Sequence, residues 1–230
     1  MAIGSHAGSN HRGEGDSLKT VVLWDLDGTI QDSESLARAG TRQGFQSVLR
    51  RDPTQEEYAA LTGRPARIVY QNWFEESLAS QILAEGTRFY EAHAVQIVCY
   101  PQIRELLTIL HQQSHRMGVV TSKRSRHVTR ELQLQQLESV FDAVVTQEDT
   151  LLHKPHPEPL LLAAQRMQAD ATDCIYIGDQ PTDIEAAHRA GMRSIAALWG
   201  EGNIDKLANS RPTIFAQAPM DILVLLQAST

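Results

Sequence analysis

Short apolar runs, separated by stretches whose apolar residues recur at helical spacing, limit this chain to few folds. The runs are Val21 to Leu23, Met117 to Val120, Ala143 to Val145, Cys174 to Ile177 and Ser194 to Leu198. Each has the length and flanks of a parallel strand buried on both faces. Between them, Ile103, Leu106, Leu107 and Leu110 fall on one helical face, as do Val128, Leu132 and Leu134. Leu160, Leu161, Ala164 and Met167 form another set. Ile184, Ala187 and Ala190 form a further one, closed by Gly191 as a C-terminal cap. Strands alternating with helices predict βαβ units and a doubly wound, Rossmann-like parallel sheet of the α/β class.

One segment breaks the alternation. From Glu34 to about Cys99 the apolar residues (Leu36, Phe45, Val48; Tyr58, Leu61; Trp73, Leu78; Ile82, Tyr90) are spaced for helices, with no strand among them. This predicts a small all-α domain over 34–99, inserted after the first strand. Pro101 marks the return, so the α/β core is expected over 20–33 and 100–230. Residues 1–19, rich in Gly, Ser and His and without an apolar signal core, read as a disordered tail.

A net charge of -7 gives no global basic footprint for nucleic acid. No apolar run approaches the roughly 18–20 residues of a membrane span. Cys99 and Cys174 are far apart and form no CxxC pair, which fits a reducing, cytoplasmic setting rather than a disulfide or zinc site. A monomer without a nucleic-acid or membrane partner is expected.

Ligands of open α/β sheets bind beyond the carboxyl ends of the strands. Four predicted strands here end in complementary polar groups. The first gives Asp25 and Asp27, the second Thr121, Ser122 and Lys123. After the third comes HKPHPEP with Lys154, and the fourth gives Asp179 and then Asp183. Three converging carboxylates are costly unless a cation sits among them. Oxygen ligands without His or Cys favour magnesium over zinc. Magnesium beside a lysine and hydroxyl donors suggests phosphate chemistry, with Lys154 neutralising charge, Thr121 or Ser122 donating to phosphoryl oxygens and Lys123 beside them as a further phosphate contact. Taken singly, each island also fits a turn or a helix N-cap. Their order, each after a separate strand, is harder to obtain by chance.

Other polar groups carry less. His111 and His115 have helical metal-pair spacing but no third ligand, and read as a solvated helix face. His153 and His156 read as loop residues beside Lys154. The basic run KRSRH at 123–127 lacks interleaved aromatics and reads as a positive helix face that draws in anions. Trp24 reads as core packing, and Trp199 has no assigned role.

DLDGT at 25–29, the Thr-Ser pair at 121–122, the lysine of KPHPEP at 154 and GDQPTD at 178–183 resemble the four motifs of the haloacid dehalogenase superfamily. The resemblance covers residues 20 to about 225. The helical insert is similar to the cap of the phosphoglycolate phosphatase, pyrophosphatase and β-phosphoglucomutase branch.

The resemblance implies that Asp25 attacks phosphorus to form an aspartyl phosphate, and that Asp27 protonates the leaving oxygen and then activates water. It implies a higher pKa for Asp27 than for Asp25, and a Thr29 hydroxyl that fixes Asp27. Magnesium would be held by Asp25, the Asp27 carbonyl and Asp179. Asp183 would reach it through water or orient Lys154. Superfamily dehalogenases lack an acid at the Asp27 position, so phosphoryl transfer is expected.

In LTGRPAR at 61–67, Arg64 and Arg67 are candidates for a second anionic group of the substrate; a connecting loop with solvated arginines is the competing reading. The expected activity is a magnesium-dependent phosphatase of small phosphate monoesters, phosphoglycolate-like. An inorganic pyrophosphatase and a β-phosphoglucomutase-like mutase are the alternatives. A receiver-type signalling domain would carry its phospho-acceptor on a later strand and no large insert.

Overall fold

The computed structural model describes residues 20–62 and 64–227; the tail expected over 1–19 lies outside them. The chain begins with β1 (Val21–Trp24) and the short β2 (Gln31–Asp32). Four helices follow: α1 (Glu34–Leu49), α2 (Gln55–Leu61), α3 (Ala66–Trp73) and α4 (Glu76–His93). After β3 (Val98–Cys99) come α5 (Ile103–Gln112), β4 (Met117–Val120), α6 (Ser125–Leu134) and β5 (Ala143–Val145). The remainder runs α7 (Glu158–Arg166), β6 (Cys174–Gly178), α8 (Pro181–Arg189) and β7 (Arg193–Ala197). It closes with α9 (Ile204–Asn209), β8 (Ile214–Ala216) and α10 (Asp221–Gln227).

Six strands form one sheet in the order β5-β4-β1-β6-β7-β8, every neighbouring pair parallel. The expected α/β architecture is therefore present. Alternation along β1 explains why its apolar run is unbroken. Val22 and Trp24 face a core built with Leu106, Leu110, Val128 and Ile222 of α5, α6 and α10. Val21 and Leu23 face the opposite core, built with Leu160 and Ala164 of α7 and Ala187 of α8. Both faces are covered, so no polar residue is tolerated in the strand. Trp24 is fully buried, as its core role requires.

Two features depart from expectation. Val98–Cys99, read as part of a strandless segment, pairs antiparallel with Gln31–Asp32. Two-residue strands with polar members carry no periodic signal. The edge strand β8 was also missed, because Phe215 is exposed and the run is short.

Helices α1 and α4 pack closely because Gly40 and Gly86 face each other: a Cβ on Gly40 would stand 2.9 Å from the Gly86 carbonyl oxygen, and one on Gly86 2.8 Å from that of Gly40. Beside them Phe45, Tyr70, Ala79 and Ile82 form a separate small core. Among the described residues, no helix is long and apolar enough to cross a membrane.

Candidate active site

Parallel strands end on one side. The residues that follow β1, β4 and β6 therefore share one edge, where β1 lies between strands reached by connections of opposite direction. The Asp25 amide still donates to the Ile177 carbonyl across 2.8 Å, so the ladder fixes its Cα before the chain turns. Gly28 makes that turn at φ +83, and a Cβ there would lie 2.5 Å from the Asp179 carboxylate oxygens.

Asp25, Asp179 and Asp183 are all buried, and each offers a carboxylate oxygen within 4.8 Å of the others. Lys154 arrives on the loop after β5. Its Nζ lies 2.9 Å from Asp25 Oδ1 and 2.6 Å from Asp183 Oδ1, and donates to the Tyr176 hydroxyl at 2.9 Å. Three carboxylates against one ammonium leave two negative charges. Burial, followed by the charges of Asp183 and Asp179, outweighs Lys154 and drives the Asp25 carboxyl well above its ordinary value. Burial and Asp183 also push Asp179 up to about 7.

The two Asp183 oxygens are already engaged: Oδ1 by Lys154, and Oδ2 by the Gln180 amide at 2.9 Å. That second bond belongs to a capping box at the start of α8. Asp179 accepts from Gln180 Nε2 at 2.7 Å and from the Glu201 amide at 3.0 Å.

Asp27 sits in a different environment. Its Oδ1 accepts from Lys123 Nζ at 2.7 Å, Gln31 Nε2 at 3.0 Å and the Ser33 hydroxyl. Burial alone would raise its pKa, but the Lys123 ammonium and these hydrogen bonds hold the carboxyl below its ordinary value. The protein's own groups make Asp25 the raised group and Asp27 the lowered one, the opposite order to the one expected of the working enzyme with its cation and substrate. At Asp25 burial together with two carboxylates outweighs the Lys154 ammonium, whereas at Asp27 an ammonium with two neutral donors outweighs burial.

Two further expectations change. The Thr29 hydroxyl lies 3.4 Å from Asp179 Oδ1, so Ser33, Gln31 and Lys123 fix Asp27 in its place. Lys123 was expected on phosphate, but its three protons point to Asp27, Glu131 and the Tyr90 hydroxyl, at 2.7, 2.6 and 2.8 Å. Long-range contacts place Tyr90 and Glu131 there, and no local sequence pattern announces them. Gln31 and Ser33 were legible in principle, as polar residues four and six positions after Asp27.

A cavity of about 280 Å³ opens over this edge and runs into the helical insert. Asp25, Asp27, Thr121, Ser122 and Lys154 line its floor, and Arg64 and Arg67 line it from the insert. Both arginines are exposed. Part of the basic run after β4 meets the insert: His127 and the exposed Arg126 lie 3.0 and 3.1 Å from Glu91 of α4, and Lys123, Arg124 and His127 line the cavity. His153 and His156 do not line the cavity among the described residues. Trp199 gains a role, since its Nε1 donates to the Thr29 carbonyl at 2.9 Å and steadies the turn after β1.

A family model described as haloacid dehalogenase-like hydrolase matches residues 22–197, from the first strand through the fifth strand of the sheet in chain order. The chain belongs to the haloacid dehalogenase-like hydrolases. It is an enzyme of the phosphatase class within that family.

A PpaX protein of Caldanaerobacter subterraneus is 30% identical over 210 residues, covering 90% of this chain and 94% of the relative. The pyrophosphatase PpaX of Anoxybacillus flavithermus is 27% identical over 206 residues, covering 90% and 96%. Among solved structures, a predicted phosphoglycolate phosphatase from Haemophilus somnus aligns with a TM-score of 0.83 at 23% identity, over 92% of this chain and 99% of the other. That likeness concerns the fold alone.

Proposed function

We propose that this enzyme is a magnesium-dependent phosphatase of small phosphate monoesters, phosphoglycolate-like, working through an aspartyl phosphate on Asp25. The observation that carries the reading is the setting of Asp25. It faces the cavity with Lys154 at 2.9 Å, shares a cluster with two further carboxylates, and has a second acid, Asp27, two residues on. Asp25 attacks the phosphorus, and Lys154 offsets charge on the nucleophile. The Thr121 hydroxyl and Ser122 donate to the phosphoryl oxygens. Asp27 delivers a proton to the leaving oxygen and then takes one from the attacking water. Its Oδ1 already accepts three donors, which leaves Oδ2 for this work.

The donor set fits magnesium: carboxylates without His or Cys, and two uncompensated negative charges. Asp25, Asp179 and the Asp27 carbonyl would hold the ion, which supplies charge neutralisation for the phosphoryl oxygens. Asp183 serves chiefly to orient Lys154, since both its oxygens are engaged within the protein. Helices α1 to α4 act as the cap, with Arg64, and Arg67 beside it, meeting a second anionic group of the substrate. A cytoplasmic monomer accompanies this reading.

Inorganic pyrophosphate is the second reading, favoured by the PpaX relatives. Phosphate release with magnesium from phosphoglycolate, pyrophosphate, hexose phosphates, nucleotides and acetyl phosphate tests both. The monoester reading expects the highest kcat/KM on a small carboxylated monoester, and a preference for pyrophosphate overturns it. Turnover of none, with metal bound, overturns the phosphatase mechanism.

A further inference from the structure

Glu131 lies on α6, is 1% exposed, and is absent from both the acidic cluster and the described cavity lining. A carboxylate so deep costs several kcal/mol of lost hydration unless its oxygens are matched. They are matched by the groups that hold Asp27. Glu131 Oε2 accepts from Lys123 Nζ at 2.6 Å and from Gln31 Nε2 at 2.5 Å, and Oε1 accepts from the Tyr90 hydroxyl at 2.9 Å. Gln31 divides its amide protons between Asp27 and Glu131. Lys123 divides its three among Asp27, Glu131 and Tyr90. Glu131 is thus the far anchor of both nitrogen donors on Asp27 Oδ1.

Tyr90 belongs to α4 of the helical insert, whereas Lys123 and Glu131 belong to the α/β layer. The Tyr90 hydroxyl accepts from Lys123 and donates to Glu131, so the insert supplies the last acceptor that the ammonium needs. Glu91, the next residue of α4, meets Arg126 and His127, which fastens the same turn of helix over the same spot.

We propose that Glu131 and Tyr90 are positioning residues for the proton transfers of Asp27, acting through Lys123 and Gln31. Glu131 stands outside the cavity lining, and Tyr90, which lines it, commits its hydroxyl to Lys123 and Glu131. They fix the two nitrogen donors so that Asp27 Oδ1 stays bound and Oδ2 alone turns to the leaving oxygen. The aim of the acid is therefore completed by the insert. This rests on the phosphatase reading above. Misaiming a proton donor by a fraction of an ångström slows displacement of a leaving oxygen that needs the proton, and leaves substrate binding and displacement of a leaving group that departs unprotonated intact.

The test is leaving-group dependence. The kcat/KM values of wild type, Glu131→Gln and Tyr90→Phe are measured with magnesium on aryl phosphates graded from 4-nitrophenyl to 4-methoxyphenyl phosphate. A 4-nitrophenolate departs with little help, whereas the methoxyphenolate needs a proton. Glu131→Gln is expected to lose on the order of 10-fold at the methoxy end and less than about 2-fold at the nitro end. Tyr90→Phe is expected to steepen the series in the same sense by about 3-fold. Equal losses along the series, or none in either variant, overturn the proposal. If Glu131→Gln does not fold, judged by its thermal transition, Tyr90→Phe decides alone. Wild-type enzyme inactive on these esters and on every substrate of the phosphate-release panel overturns the parent reading instead.

Discussion

The Trp199 indole donates to the Thr29 carbonyl across 2.9 Å, and the adjacent Gly200 lets the two loops touch: a Cβ there would lie 2.1 Å from the Gly28 carbonyl oxygen. The turn that aims both Asp25 and Asp27 is therefore braced from the loop after β7. Trp199→Phe removes the donor and keeps most of the ring. It is expected to cost about 1 kcal/mol, lowering Tm by roughly 2–4 °C, and to reduce kcat several-fold. Unchanged Tm and kcat would show that the turn holds itself.

Asp25→Asn is expected to abolish phosphate release, while Asp27→Asn loses roughly 10²- to 10⁴-fold in kcat/KM for an alkyl phosphate. Burial and two neighbouring carboxylates already oppose the charge on Asp25. Asp25→Asn should therefore fold at least as stably as wild type in chelator-treated buffer. Thermal scans and phosphate release on the same samples check both halves. Retained turnover in Asp25→Asn would sink the covalent mechanism.

Magnesium should raise Tm, because the acidic cluster exists only in the folded chain. At 100 times Kd the gain is about 2.7 kcal/mol. Chelation should reverse it, and Asp179→Asn should lose most of it. Calorimetric titration gives the affinity directly, and a magnesium response preserved in Asp179→Asn would remove that residue from the site.

A pH effect is expected away from the site. Burial would raise the Asp149 carboxyl, but Arg166 at 2.5 Å and the amide and hydroxyl of Thr146, each at 2.7 Å, hold it below its ordinary value. A lowered folded-state pKa stabilises above the unfolded carboxylate range, and that stabilisation is lost as pH falls through the folded value. Asp149→Asn should thus cost roughly 0.5–1 kcal/mol at pH 7 and less near pH 3. Denaturant titrations at the two pH values give the comparison, and an equal cost at both refutes the ionic contribution.

Arg64→Ala is expected to lower kcat/KM by roughly 10-fold for a substrate with a second anionic group, and to spare acetyl phosphate. A steady-state comparison of the two substrates tests this. Equal kinetics for every substrate would leave Arg64 as a solvated loop residue.

Much of this molecule could be read before it was seen. The strands around β1 are unbroken apolar runs because both sheet faces are covered, and the acids follow them because strand ends are where charge can reach a ligand. Lys154 was legible for the same reason. The immediate surroundings of the two aspartates were harder. Whether Asp27 is raised or lowered depends on burial set against Lys123, Ser33 and Gln31, and the Gln31–Glu131 contact spans 100 residues of chain. No periodicity or spacing encodes such a meeting. Residue types and strand ends predicted which acids, hydroxyls and lysine would meet at one edge of the sheet, but the division of their protons belongs to tertiary structure.

The small ribbon of β2 and β3 has a further consequence. Gln31 pairs with Cys99 and Asp32 with Val98, so the chain leaves the α/β layer and re-enters it through facing residues roughly 5 Å apart. The helices between are, to the rest of the molecule, a single long excursion closed at its neck. Their length and content can change without moving the strand ends on which Asp25, Thr121 and Asp179 stand. A graft of another bundle at this neck would keep the acidic floor, but it would have to bring its own hydroxyl to the place now held by Tyr90.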